Sequence, residues 1–596
     1  MLRTPKEAVP PFARSSLLIA CVAACAIFLS LTVIGPALSA SSQRQPHDGE
    51  DDWQFEEEYA KTHKGKTPIG GMPPGGGSAR RLPASAPPAS PATRAGNLGF
   101  STGGAKDIGN FRENIAKGFL PLPADVTYEG LFYDYYFETG GNCSGKALFC
   151  PTYTTAVSDE PFTGKTEYYL SVGLSSGIES ASFSRKKLNL MLVLDISGSM
   201  SAPFDKYYYD RFGKKSEQET QDGEGGKSKL AAAAEALTAL LDHLKPDDRF
   251  GLVLFDQYAY TALRPRRVAQ RNMEAIKGHI RELRPIGSTN LDAGLSLATE
   301  LLSETREHAP DQYENRVIFM TDAMPNMGDT SDKAFLARIQ DNAKDRIYAT
   351  IIGIGVDFNT SLVDKITKAR GANSYSVHSP AEFRKRLDAE FDYMVTPLVF
   401  DLKLAFQSPG FAIDAVYGSP EADAATGELM RVNTLFPSPT DEEGSRGGLI
   451  LLRLKKTASD PAILLTATYE DRRGHREHVT ERLEFRTSGG EHYDTPSIRK
   501  GILLARYATL LREWLTTARD TSAPPAEKKA GAKKPAADQP ELGEWERQSR
   551  ELQVSPAQRA TFARFRDAFQ KEMAPCRDES LKRELVVLDH LARGQP

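Results

Sequence analysis

Leu188-Asn189-Leu190-Met191-Leu192-Val193-Leu194, followed at once by Asp195-Ile196-Ser197-Gly198-Ser199, is the stretch that decides the fold. A short apolar run with no polar alternation predicts a strand buried on both faces, as in a parallel sheet. Downstream, residues 229–244 carry Leu230, Leu237, Leu241 and Leu244 on one helical face. Further helices are predicted over 272–283, 290–304 with Asn290 as cap, and 332–343. Strands are predicted at 250–255, 317–320 and 347–354, and a last strand and helix over 374–393. Strands alternating with helices imply a parallel-rich sheet with right-handed crossovers. The expectation is a Rossmann-like α/β domain over 188–395.

Asp195, Ser197 and Ser199 place a carboxylate and two hydroxyls in a tight loop at the carboxyl end of the first strand, the edge where open α/β sheets bind ligands. Gly287-Ser288-Thr289-Asn290 opens a helix and offers the Thr289 hydroxyl. Met320-Thr321-Asp322 ends another buried strand and offers a second carboxylate. Every candidate donor is oxygen, which suits a hard divalent cation, Mg²⁺ first with Ca²⁺ or Mn²⁺ as alternatives, over zinc or copper. Two carboxylates and neutral hydroxyls leave such an ion able to accept a carboxylate from another molecule.

D-x-S-x-S, then Thr289, then Asp322 in this α/β frame resembles the metal-ion-dependent adhesion site of von Willebrand factor A (VWA) domains. The resemblance implies that Ser197, Ser199 and Thr289 coordinate the metal directly. It implies that Asp195 and Asp322 act through water or hydrogen bonds, and that a partner's acidic side chain completes the shell. The segments before and after the domain, from Asp107 to about Leu515, together resemble a bacterial exported subfamily often labelled calcium-activated-channel-like or inter-alpha-trypsin-inhibitor-like. Two stretches depart from that pattern. Residues 201–227 form a long insertion beside the metal loop, in which Tyr207, Tyr208 and Tyr209 are candidate partner anchors. The segment from Glu541 onward has no counterpart.

Other chemistries find little support. Gly225-Gly226-Lys227-Ser228 lacks the first glycine of a phosphate-binding loop, since position 221 is Gln221. A nucleophilic Ser197 or Ser199 needs a general base in reach. His243, His279 and His308 are candidates by presence alone, and the nucleophile-elbow motif is absent. The net charge of −4 argues against nucleic acid as a partner. The functional expectation is a non-enzymatic binding protein, with an accessory role in a transport or channel complex as the alternative.

The 596 residues allow several domains. Residues 1–16 form a cytoplasmic start carrying Arg3, Lys6 and Arg14. Residues 17–38 contain an apolar run long enough to cross a bilayer, and the charge bias sends the bulk of the chain outward across an inner membrane. A cleaved signal ending near residues 37–40, or lipidation at Cys25, would instead give a secreted protein or a lipoprotein. Residues 39–105, rich in Gly, Pro, Ala and Ser, read as a flexible tether. Residues 106–187 read as a region associated with the α/β domain, with an aromatic cluster near Tyr128–Phe137 assigned to packing. Residues 396–490 read as a small antiparallel β domain of sandwich type, 491–521 as a helix, 522–540 as a linker and 541–596 as C-terminal helices. Cys143 and Cys150 are expected to pair as a disulfide in an oxidising compartment.

Overall fold

Leu188, Leu190, Leu192 and Leu194 enter one hydrophobic core, while Met191 and Val193 enter another. The strand therefore lies in a sheet covered on both faces, which explains why its sequence shows no polar alternation. The structure, a computed structural model, describes residues 49–66, 97–106, 109–139, 147–202, 227–309, 311–322, 328–354, 365–377, 387, 390–421, 429–441, 444–486, 490–521 and 550–594.

The central sheet has seven strands. In chain order they are β1 (Gly104–Ala105), β2 (Lys187–Asp195), β3 (Arg249–Phe255), β4 (Ala259–Arg267), β5 (Tyr313–Thr321), β6 (Ile347–Ile354) and β7 (Asn373–Val377). Their spatial order is β1-β7-β6-β5-β2-β3-β4. All neighbouring pairs are parallel except β3 with β4. Helices α1 (Lys229–Asp242) and α2 (Met273–Glu282) cover one face, and α3 (Leu291–Glu304) and α4 (Gly328–Lys344) the other. Ser228 and Asn290 cap α1 and α3 by accepting from the backbone N–H groups of Ala231 and Ala293 at 3.2 Å each. The antiparallel edge strand β4 was not anticipated. Its second half, with Pro265, Arg266 and Arg267, leaves the core and breaks the apolar pattern.

The flanking regions differ from the sequence reading. Residues 106–187 and 396–490 do not form two units. Strands from both build one sandwich, so the α/β domain is inserted within it. One sheet runs, in spatial order, Arg476–Glu484, Ala462–Glu470, Val399–Gln407, Leu429–Ser438, Asn97–Thr102 and Ser175–Glu179. The other runs Phe411–Tyr417, Leu449–Lys456, Thr166–Gly173, Thr152–Asp159 and His492–Tyr493. Leu98, Phe100, Leu170 and Val172 share a single core with Leu404, Val432, Ile450 and Leu465. Each strand's alternation marks a half-buried strand but not its partner, which can lie hundreds of residues away: Phe100 pairs with Pro437.

A third layer covers the outer face of the second sheet. Helices α5 (Pro496–Thr521), α6 (Pro556–Cys576) and α7 (Lys582–Arg593) pack there with the aromatic cluster, burying Phe111, Phe132, Tyr135 and Phe137. Cys576 is a buried free thiol in this layer.

The tether expected over 39–105 is interrupted by ordered sequence. Residues 97–105 supply a sandwich strand and β1. Residues 49–66 form a strap on the edge of the central sheet: Gln54 N–H donates to the Ala262 carbonyl of β4 at 2.9 Å. Phe55 is buried in the strap helix Phe55–Thr62, Trp53 stacks on His279 at 5.0 Å, and Asp52 pairs with Arg271. Acidic residues in this stretch gave it the composition of a linker, while Trp53, Phe55 and Tyr59 supply enough apolar surface to dock it. The apolar segment 17–38, Tyr207–Tyr209 and Cys143 lie outside the described residues; Cys150 is disulfide-bonded. Among the described residues no helix is long and apolar enough to cross a membrane.

Glu584 of α7 ties the helical layer to the N-terminal region. Its fully buried carboxylate accepts from Tyr135 Oη at 2.5 Å and from Arg112 Nε at 3.3 Å, and Arg112 also reaches Asp134 at 2.7 Å. Removing one partner of a buried ion pair leaves the other uncompensated. Glu584→Ala is expected to lower unfolding stability in urea by about 3–5 kcal/mol. A loss within about 0.5 kcal/mol, as for a surface change, would mean that α7 is an appendage rather than part of the core.

Candidate metal centre

Three strand ends meet at one edge of the central sheet. Leu194 of β2 pairs in parallel with Met320 of β5, and Asp195 with Phe255 of β3. The residues following each pair are thereby brought together. Ile196 N–H donates to the Phe255 carbonyl at 2.9 Å, Ile286 N–H to the Ile196 carbonyl at 2.6 Å, and Gly198 N–H to the Gly287 carbonyl at 3.0 Å. These backbone bonds stitch the Asp195–Ser199 loop to the loop carrying Thr289.

Within this site, Gly287 sits where the backbone demands glycine. Its φ is +70°, and a Cβ there would lie 2.4 Å from Asp256 Oδ2. Asn290 N–H donates to the Asp256 carbonyl at 2.9 Å, so Asp256 holds one side of the Thr289 turn and lies against Gly287 on the other.

The five residues singled out in the sequence occupy this edge. Asp195, Ser197, Thr289 and Asp322 are buried and Ser199 is half-buried. Asp195 Oδ1 accepts from Ser197 N–H at 2.8 Å. The Ser197 and Ser199 hydroxyls lie 3.0 Å apart, and Ser199 Oγ donates to Asp322 Oδ1 at 2.7 Å. Thr289 makes no side-chain hydrogen bond among the described residues; its place in the cluster comes from the Gly198–Gly287 bond two residues away.

Two further residues belong to the site and were missed. Thr321 Oγ1 donates to Asp195 Oδ2 at 2.6 Å, occupying the second carboxylate oxygen. Lys229, at the first turn of α1, places Nζ 3.0 Å from Asp322 Oδ2, with both side chains 1% exposed. Thr321 stood in the quoted Met320-Thr321-Asp322 and its signal was adjacency to the motif. Lys229 carried a faint signal, a lysine on the otherwise apolar opening of α1.

The electrostatics call for a cation. Two buried carboxylates face one buried ammonium, and with both carboxyls ionised these groups sum to −1. Burial, reinforced by the Asp322 charge, pushes the Asp195 carboxyl up to about 7. Both carboxylates, both serine hydroxyls and the Thr289 hydroxyl form an oxygen-only donor set that fits a hard divalent ion. None of the three histidines considered as general bases stands here. His243 lies against Phe391, His279 stacks on Trp53, and His308 lines a cavity with Tyr313 and Asn315 near the start of β5.

Residues 190–324 match the family model of the von Willebrand factor type A domain. The chain contains a VWA domain. A stretch of 232 residues, 38% of the chain, is 25% identical to human inter-alpha-trypsin inhibitor heavy chain H4, and the match spans only 22% of that relative's length. Among solved structures, a von Willebrand factor type A protein from Catenulispora acidiphila aligns with a TM-score of 0.38 at 15% identity, covering 62% of this chain and 81% of that one. Proximal thread matrix protein 1 from the mussel byssus, solved with a zinc-occupied MIDAS motif, aligns with a TM-score of 0.24 at 18% identity, over 35% of this chain and 46% of that one.

The Asp195 shift has a measurable sign. A carboxyl whose proton is held more tightly in the folded chain stabilises it fully below its ordinary value of 3.8, and that contribution is lost as pH rises through about 7. In chelator, the thermal midpoint of the wild type is therefore expected to fall across this window. Asp195→Asn, which cannot ionise, should flatten that fall. Equal slopes for the two proteins would show that Asp195 does not carry the buried charge inferred for it.

Proposed function

We propose that this VWA domain grips a protein partner through a divalent cation. Ser197, Ser199 and Thr289 hold the ion directly, and Asp195 and Asp322 orient its water or the hydroxyls. The observation that carries this reading is the hydrogen-bonded chain Asp195–Ser197–Ser199–Asp322 beside a Thr289 hydroxyl that makes no side-chain hydrogen bond among the described residues. When bound, the ion supplies a Lewis-acidic position that an acidic side chain of the partner can fill.

The surroundings support binding over catalysis. Among the described residues no histidine hydrogen-bonds to Ser197 or Ser199, so neither hydroxyl has an imidazole base of the kind nucleophilic catalysis uses. The cation is Mg²⁺ by the hardness of its donors, with Ca²⁺ or Mn²⁺ able to replace it. The apolar segment 17–38 anchors the chain in a bacterial inner membrane, and the domain works on the outer side of that membrane. The tyrosines at 207–209, next in sequence to the metal loop, extend the recognition surface.

The test is affinity capture from envelope extract with the full chain immobilised, comparing Mg²⁺ with chelator and the wild type with Asp195→Ala and Thr289→Ala. One protein should be retained only by the wild type and only with metal. Both variants must keep the wild-type circular dichroism spectrum. Retention that ignores both chelator and substitution would move the recognition surface away from this edge of the sheet.

A further inference from the structure

Lys229 is an unexpected residue where it stands. It is the first residue of α1, 14 residues long, where the unpaired N–H groups and the helix dipole favour negative charge rather than positive. It is also buried, and burying an ammonium is costly unless it is paired. Its backbone is fixed from both sides: its own N–H donates to the Ala202 carbonyl at 2.9 Å, and Ser228 caps the helix. The side chain is thus directed at Asp322, whose Oδ1 is already engaged by Ser199 Oγ while Oδ2 takes Lys229 Nζ.

Resting on the metal-binding reading above, we propose that Lys229 is a built-in counter-cation that sets how tightly the site holds its metal. Without metal, it screens the repulsion between two carboxylates buried at neighbouring strand ends and keeps the loops in place. With a divalent ion bound, the same ammonium becomes a like charge and weakens the ion's hold. The charges then sum differently. Two carboxylates and a divalent ion would be neutral, whereas with Lys229 the site carries +1.

A site of charge +1 holds a bare cation loosely and attracts an anion. The partner's carboxylate relieves the excess, so cation and acidic partner strengthen each other's binding, by the same factor in both directions. Lys229 thereby ties occupancy of the metal to the presence of an acidic partner.

The test is Mg²⁺ titration of the full chain by calorimetry, with the thermal midpoint measured in chelator. Lys229→Gln keeps a donor and removes the charge. It is expected to bind Mg²⁺ about tenfold more tightly than the wild type, and to melt at a lower temperature than the wild type when metal is absent. Lys229→Arg, which keeps the charge, should stay near the wild type in both. If Lys229→Gln is unfolded in chelator, a Mg²⁺ titration should refold it; failure to refold overturns the proposal. Equal or weaker Mg²⁺ binding by Lys229→Gln, with the wild type binding measurably, overturns the role of Lys229 and leaves the metal site standing. Absence of Mg²⁺ binding by both folded proteins overturns the metal reading and this inference together.

Discussion

Asp195 and Asp322 are held side by side, away from water, because β2 and β5 are neighbouring parallel strands whose last paired residues are Leu194 and Met320. Parallel pairing brings like ends together, so two strand-terminal carboxylates separated by more than a hundred residues in sequence necessarily meet at one edge. Like charges in a poorly hydrated place repel. Around this constraint the rest of the edge is arranged: Thr321, Ser197 and Ser199 donate to the two carboxylates, and Lys229 supplies an ammonium. What remains is a net negative, oxygen-lined position whose donors fit a hard divalent ion.

At the opposite end of the central sheet, the α/β domain and the sandwich meet through polar contacts. The buried Arg316 of β5 pairs with Glu314, which also takes Arg472 from the turn of a sandwich hairpin; Arg472 donates to the Pro397 carbonyl at 2.6 Å as well. Gly371 N–H donates to Thr434 Oγ1 at 2.8 Å, and Tyr133 Oη to Glu390 at 2.9 Å. Directional bonds of this kind fix orientation more than they add stability. The chain also crosses between the α/β domain and the sandwich at three places among the described residues, 104–106, near 187 and 394–399, which limits how the one can rotate on the other.

How much of this was legible in the sequence follows from how local each signal is. That Asp195, Ser197 and Ser199 share one edge could be read because they lie within one turn at a strand end, and because strands buried on both faces are continuous apolar runs. Thr289 and Asp322 joined them from a helix start and another strand end. Lys229 and Thr321 were missed because they act through a neighbour: neither belongs to the D-x-S-x-S pattern, and only the parallel register and the direction of α1 bring them to a carboxylate. The sandwich was divided into two regions because alternation identifies a strand's buried face and is silent on pairing. The strap was taken for tether because three aromatic side chains among glutamates and aspartates barely change composition, while on the edge of β4 those three rings decide the outcome.

The strap also changes what the segment before residue 67 is attached to. Tyr59 lies 5.4 Å from the Tyr260 ring, and Tyr260 Oη donates to Asp256 Oδ1 at 3.1 Å. Asp256 in turn sits against Gly287 and takes the Asn290 N–H, holding the turn that presents Thr289. The strap therefore packs on the same short stretch, Asp256 to Tyr260, that braces the Thr289 loop, and it does so through aromatic rings whose contact area is large and whose conformational freedom is small. A chain entering at the sandwich would have no such path. Entering here, the segment packs on the residues that brace the third hydroxyl: Tyr260 Oη holds the Asp256 carboxylate, and the Asp256 carbonyl takes the Asn290 N–H.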